Sequence, residues 1–191
     1  MTEQLRQNLP IVGVMGSANE THADRAAPIG RWLAGLGVHI LTGGGAGVMM
    51  AVSKAFHETP SRKGLVIGII PSAQADARLG AKDNYPNPWV EVPIFTHLHL
   101  SGSAGTDPRS RNHINVLTSD AIIALPGGHG TSSEVRLALH YRRPVVAFLK
   151  HSDEIPNIPS EVRVENDFED VKQIIEGEII RRLSASLNRE V

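Results

Sequence analysis

A short apolar segment that ends in a glycine-rich turn constrains the fold of this chain most. Residues 121–125 are apolar and include two β-branched isoleucines, as is typical of a buried strand. The sequence Pro-Gly-Gly-His-Gly-Thr-Ser-Ser-Glu follows at 126–134, and the apolar residues of 135–140 recur at helical spacing. The order strand, glycine turn, helix is typical of the units that build parallel α/β sheets.

The same turn predicts an anion site. N–H groups at the start of a helix have no intrahelical acceptor, and the helix dipole adds partial positive charge, so a phosphate fits there. Gly127, Gly128 and Gly130 can adopt positive φ angles, and they let a ligand approach the main chain because no Cβ is in the way. Thr131 and Ser132 would act as helix caps or phosphate ligands. The alternative is a tight connection capped by Thr131, without a ligand.

Apolar runs and helical patterns alternate along the rest of the chain. Further strands are expected at 11–15, 38–42, 65–70, 89–92 and 144–149, and helices at 22–36, 48–56, 109–117 and 168–187. The segments 72–88, 93–107 and 151–164 are expected to be irregular. This alternation predicts a single-domain, doubly wound, mostly parallel α/β sheet flanked by helices, spanning 1–191 with frayed ends at 1–9 and 184–191.

Two more turns follow predicted strands. Residues 43–47 read Gly-Gly-Gly-Ala-Gly, and residues 16–19 read Gly-Ser-Ala-Asn. Because ligands of open parallel sheets lie outside the carboxyl ends of the strands, these turns predict a composite cleft with the turn at 126–134. The spacing of 43–47 does not match the dinucleotide fingerprint, which disfavours NAD. The alternative for 43–47 is close helix packing without a ligand.

Arg111 and Glu134 are the side chains best placed for chemistry. Arg111 precedes the central strand and Glu134 lies one turn into the helix that follows it, so both can face one cleft. An arginine there would bind phosphate, and a glutamate would act as an acid or base or hold a polar ligand group. The alternative is a carboxylate favoured by the helix dipole beside a surface arginine.

Composition narrows the function classes. Nineteen Lys and Arg balance 20 Asp and Glu, so there is no basic excess of the kind that binds nucleic acid. Cysteine is absent, and the nine histidines lack ligand spacing, so no protein-built metal site is expected. No apolar run is long enough to span a bilayer and the start lacks a signal-like segment. We expect a cytoplasmic protein without a membrane partner.

The turns at 43–49 and 126–134 resemble those of a known superfamily, over residues 11–149. These are the Rossmann-like SLOG (LOG-like) proteins, often misnamed lysine decarboxylases. They include the cytokinin-activating phosphoribohydrolases, which cleave the N-glycosidic bond of nucleoside 5′-monophosphates. The resemblance implies catalytic roles for Arg111 and Glu134 if this chain is such a hydrolase.

Two departures resemble a different branch. Asn112 stands where the hydrolases carry lysine, and Ser133 where they usually carry a second glutamate. Arg111-Asn112, preceded by the segment 86–91, is more similar to the molybdenum cofactor carrier proteins. That resemblance implies a homo-oligomeric (dimeric or tetrameric) carrier of phosphorylated molybdopterin, with molybdoenzymes as possible recipients. The binding residues expected from the turns and this pair are Gly16, Ser17, Asn19, Gly43, Gly44, Gly45, Gly47, Arg111, Asn112, Gly127, Gly128, His129, Gly130, Thr131, Ser132 and Glu134.

Overall fold

Parallel strands form the centre of the protein. The computed structural model describes residues 9–73 and 82–187. In these residues the strands are β1 (Ile11–Met15), β2 (His39–Thr42), β3 (Val66–Ile70), β4 (Val92–Phe95), β5 (Ala121–Ala124), β6 (Val145–Phe148) and β7 (Arg163–Glu165). They pair in the order β4-β3-β2-β1-β5-β6-β7, and every pairing is parallel. The predicted α/β class is confirmed.

Helices cover both faces of the sheet. They are α1 (Ala23–Leu36), α2 (Val48–His57), α3 (Asn112–Thr118), α4 (His129–His140) and α5 (Phe168–Leu187). Residues of α1, α2 and α5 pack on one face, in a cluster that contains Val12, Phe56 and Ile175. Residues of α3 and α4 pack on the other, with Met15 and Ile122. Strands buried on both sides explain the continuous apolar runs of the sequence.

The sheet order places a crevice between β1 and β5. The chain winds outward from β1 through β2 to β4, then returns to the other side of β1 and winds the opposite way through β5 to β7. The register pairs Met15 with Ala124, so both strands end at the same level. Connections leave the two ends in opposite directions, which opens the usual ligand crevice of doubly wound sheets.

Two predicted elements differ from those in the structure, and several short elements were not predicted. The strand predicted at 89–92 is a turn, because Asn87 accepts the N–H groups of Trp89 and Val90, and β4 follows at Val92. Helix α3 begins at Asn112 instead of residue 109, since the Asp107 carboxylate accepts the Arg109 N–H and holds it in a turn. Short elements also lie in the segments predicted to be irregular: β4, β7 and the 3₁₀ turns Gly102–Ala104 and Ser152–Glu154.

The ends of the chain are described only in part. Helix α5 begins and ends where the sequence predicts and includes residues 184–187. Residues 1–8 and 188–191, predicted to fray, lie outside the described range, as do residues 74–81 of the long loop predicted at 72–88. None of the helices in the described part is long and apolar enough to cross a membrane.

Candidate ligand site

A cavity of about 280 Å³ opens at the carboxyl ends of β1, β2 and β5. This volume is close to the lower end of the range for small-molecule sites, about 300–1,000 Å³. Ten of the predicted binding residues line it: Gly16, Ser17, Asn19, Gly43, Arg111, Asn112, Gly128, Gly130, Thr131 and Glu134. The structure therefore brings all three predicted turns and the predicted arginine and glutamate to one place.

The amino terminus of α4 supplies backbone donors to this cavity. Gly128 is the N-cap residue, and the first intrahelical bond runs from Ser132 N to Gly128 O at 3.0 Å. The N–H groups of His129, Gly130 and Thr131 precede that bond, so they have no acceptor within the helix. Among them, Gly130 and Thr131 line the cavity. The cavity thus lies at the positive end of the α4 dipole, beside residues whose N–H groups have no helical acceptor.

This turn uses neither the positive φ angles open to its glycines nor the side-chain cap that was one of the two roles predicted for Thr131 and Ser132. Gly127, Gly128 and Gly130 do not have positive φ angles, and Gly128 is extended at φ −91° and ψ −153°. No side chain caps α4, so neither Thr131 nor Ser132 is the cap. The N-cap lies three residues earlier than Thr131, and the Thr131 side chain packs against Gly127. A Cβ at Gly127 would lie 2.2 Å from Thr131 Oγ1, so this glycine is needed for close packing.

Six predicted residues are not among those that line the cavity, and several of them are glycines in tightly packed loops. A Cβ at Gly47 would lie 2.2 Å from Ser17 O, and Gly47 has a φ angle of +62°. Gly44 also has a positive φ angle, +74°, and accepts the Asn87 N–H on its carbonyl. These glycines serve loop packing in the structure. Those predicted to bind but not among the lining residues are Gly44, Gly45, Gly47, Gly127, His129 and Ser132.

Arg111 packs across the second glycine turn. Its side chain is buried, and a Cβ at Gly43 would lie 2.4 Å from both Nη1 and Nη2. Nε and Nη1 are buried and donate to no acceptor in the described part of the protein. Buried donors without acceptors are unfavourable, so the guanidinium is suited to an anionic ligand that reaches it. The adjacent Asn112 is also buried and lines the cavity.

Glu134 lies in the same cavity, 7% exposed. Asn115 Nδ2 donates a hydrogen bond to Glu134 Oε1 at 2.7 Å. Burial raises the pKa of the Glu134 carboxyl above its usual value, although the charge of Arg111 and the bond from Asn115 oppose this shift. Such a carboxyl can hold a proton at higher pH than an exposed one, and it can donate to or accept from a ligand.

Eight residues that line the cavity were not predicted from the sequence. Lys82 and Tyr85 from the loop before β4, and Ser101 and Gly102 from the loop after it, also line the cavity, together with Val14, Met15, Ala18 and Met49. Asn87 brings the first loop in, because its Nδ2 donates to Gly45 O at 2.9 Å. The length and polarity of these two loops were the only sequence signal. They indicate that a loop is functional, but they do not identify the residues that reach the cavity. Within the described residues, no three His, Asp or Glu side chains are grouped to hold a metal ion.

Comparison with known proteins identifies the family. The model of the SLOG cluster4 family matches residues 9–177. The chain belongs to this family. An uncharacterised protein of Archaeoglobus fulgidus is 32% identical to this SLOG chain over 130 residues, which cover 67% of this chain and 72% of that protein.

Two solved structures with similar folds have described ligands. The molybdenum cofactor binding protein from the phototrophic bacterium Rippkaea orientalis is 31% identical, with a TM-score of 0.67 over 91% of this chain and 99% of that chain. The molybdenum cofactor carrier protein from Chlamydomonas reinhardtii is 29% identical, with a TM-score of 0.62 over 88% of this chain and 99% of that chain.

Proposed function

We propose that this SLOG chain binds and carries the molybdenum cofactor, a pterin that bears a phosphate and molybdenum. The observation that supports this most is the cavity at the amino terminus of α4, which is lined by Gly130 and Thr131, two residues whose N–H groups have no helical acceptor. The two similar structures that bind or carry this cofactor support the same ligand class.

The residues present fit such a ligand. The phosphate would accept hydrogen bonds from the α4 N–H groups, and the buried guanidinium of Arg111, whose Nε and Nη1 lack acceptors, would balance a second region of negative charge. Lys82 adds another cation to the wall. Met15, Met49 and Tyr85 offer apolar and aromatic surface for a planar ring. Binding needs these contacts and no catalytic base.

The test is direct. The protein is purified without oxygen from cells that make the cofactor, and its molybdenum and its oxidised, fluorescent pterin are quantified. We expect both in the same molar ratio to protein, and much less of each in Gly128→Val, whose side chain would enter the cavity. Molybdenum and pterin levels in the wild type no higher than in Gly128→Val would contradict the proposal.

A second function is supported by the pairing of Arg111 with Glu134 in one cavity. A buried carboxyl with a raised pKa beside a phosphate seat could assist hydrolysis of the N-glycosidic bond of a nucleoside 5′-monophosphate. Incubation with AMP and an N6-modified analogue, followed by chromatography for free base, tests this. Release of base that Glu134→Ala abolishes would favour the hydrolase; no release from either nucleotide would favour the carrier.

We also propose that the protein forms a homo-oligomer. Strand β4 is an edge of the sheet, and it exposes Ile94 (41%) and Phe95 (62%). An exposed apolar edge strand is a ready pairing surface, and a second copy of the chain is the occupant we propose. Light scattering should give a multiple of 20.6 kDa for the wild type and a smaller mass for Ile94→Glu. Molybdoenzymes are the recipients that a carrier would serve.

A further inference from the structure

An ion pair that lies outside the cavity is connected by hydrogen bonds to the glycine turn before α4. Arg25 lies on α1 and Glu154 lies in the 3₁₀ turn after β6, and neither lines the cavity. We propose that Arg25 and Glu154 are positioning residues, which fix the turn before α4 so that its N–H groups can receive an anion. An effect of this ion pair on phosphate affinity rests on the phosphate site proposed above at the amino terminus of α4. Its effect on the conformation of the turn does not depend on that proposal.

The first step is the contact between the two side chains. Arg25 is 7% exposed, and its Nη1 and Nη2 donate to Glu154 Oε2 and Oε1 at 3.0 and 3.1 Å. Nη1 also donates to Phe148 O at 3.4 Å, and the guanidinium lies 5.7 Å from the centre of the Phe148 ring. A two-point bond from a buried arginine allows the carboxylate little freedom of orientation.

Glu154 is hydrogen-bonded to the turn through its main chain. Glu154 Oε2 accepts the Lys150 N–H at 2.7 Å, which closes the loop 150–154 on itself. The main-chain carbonyl of Glu154 then accepts the Gly127 N–H at 3.0 Å. Gly127 directly precedes Gly128, the N-cap of α4. A single hydrogen bond therefore joins the ion pair to the residue before the anion-binding N–H groups.

This bond has a consequence for the ligand. Because Gly127 N–H is already donated to Glu154 O, it is not available to a phosphate, and the seat consists of the N–H groups that follow. On the other side, Ser17 N donates to Pro126 O at 2.9 Å, so the turn is held between the β1 loop and the β6 loop. Loss of the ion pair would release one of these two attachments.

Electrostatics favour the charged pair. Partial burial alone would raise the pKa of the Glu154 carboxyl, but the hydrogen bonds from Arg25 and Lys150 and the charge of Arg25 lower it below its usual value. The carboxylate is therefore bound more tightly in its ionised form. Removal of Arg25 leaves the Glu154 carboxylate partly buried and without its cation. Because such a group is stable only when water can hydrate it, we expect the loop that carries the Glu154 carbonyl to move.

The experiment uses the full chain labelled with nitrogen-15, and it follows the Gly127 amide and the binding of inorganic phosphate. In Arg25→Met we expect Gly127 amide exchange to be about tenfold faster, as for a locally opened hydrogen bond. Phosphate affinity should fall about fivefold or more, within the range of coupling energies inside one contact network. Arg25→Lys keeps the charge with fewer bonds and should restore part of both effects. Glu154→Gln should resemble Arg25→Met.

The control is Trp32→Phe, which keeps an aromatic ring at this position of α1 and removes the hydrogen bond from Trp32 Nε1 to Glu176, while every hydrogen bond of the ion pair and of the turn is left in place. It should leave Gly127 exchange and phosphate affinity unchanged. Unchanged Gly127 exchange in both Arg25→Met and Glu154→Gln would overturn the proposal, and so would an equal change in Trp32→Phe. If phosphate fails to shift any amide of the wild-type turn, the proposed seat is wrong, yet Gly127 exchange still decides whether the pair positions the turn.

Discussion

Replacement of Gly128 by valine tests whether the main chain of the central turn binds the ligand. Gly128 lines the cavity, and a Cβ built there has no atom within 4 Å. Its φ angle is negative, −91°, so an L-residue at this position does not adopt a left-handed conformation. The valine side chain would therefore occupy ligand space without a clash with the protein. Loss of the favourable glycine N-cap should lower the free energy of unfolding by only about 1 kcal/mol.

The expected loss of affinity in Gly128→Val can be worked out from the N–H donors that the valine side chain would keep from the ligand. A phosphate kept away from the Gly130 and Thr131 N–H groups loses two hydrogen bonds to a charged group, each about 1.5–3 kcal/mol. The sum of roughly 3–6 kcal/mol corresponds to a loss of affinity of about 100-fold or more. Thr131→Val removes one hydroxyl, worth about 0.5–1.5 kcal/mol, or about two- to twelvefold. Gly128→Val should therefore be much the more damaging change.

Isothermal titration with AMP or inorganic pyrophosphate, whichever binds the wild type, measures both affinities. Circular dichroism first establishes that each variant is folded. Thr131→Val is a suitable comparison because it is nearly isosteric and changes the same turn, with Thr131 only 3% exposed. If folded Gly128→Val binds as the wild type does while Thr131→Val does not bind, side chains make the anion site and the reasoning is refuted.

Four other outcomes are expected in urea unfolding. Gly177→Ala, where a Cβ has open space in α5, should stabilise the protein by about 0.4–1 kcal/mol. Gly44→Ala should destabilise it by about 1–3 kcal/mol, since φ is +74° and Ile70 Cδ1 would lie 2.4 Å from the new Cβ; equal signs for the two changes would contradict this. The raised pKa of Glu134 means that the folded state keeps a proton that the unfolded state loses, so stability falls as pH rises from the usual carboxyl pKa towards the folded one. Glu134→Gln should flatten that fall, and parallel wild-type and variant curves would count against it. Phe56→Ala in the core should cost about 3–5 kcal/mol, and a loss below about 1 kcal/mol would mean that Phe56 is not packed as described.

Local sequence patterns were enough to predict several strands and helices. Continuous apolar runs predicted the strands around β1, β5 and β6, because a strand covered by helices on both faces has no polar side. The period of apolar residues predicted α5 from 168 to 187, and Gly37 marks the end of α1 with a φ angle of +77°. The order of these elements was enough to predict a mostly parallel sheet with a cleft at the carboxyl ends of its strands.

Which residues line the cavity depends on tertiary contacts that no local pattern predicts. The N-cap of α4 is Gly128 because Glu154 and Ser17 hold the turn from other parts of the chain, and no local pattern contains those bonds. Tyr85 reaches the cavity because Asn87, two residues along, bonds to the main chain of Gly45. These contacts join residues far apart in sequence, and their energy depends on geometry that the sheet sets only once it has formed.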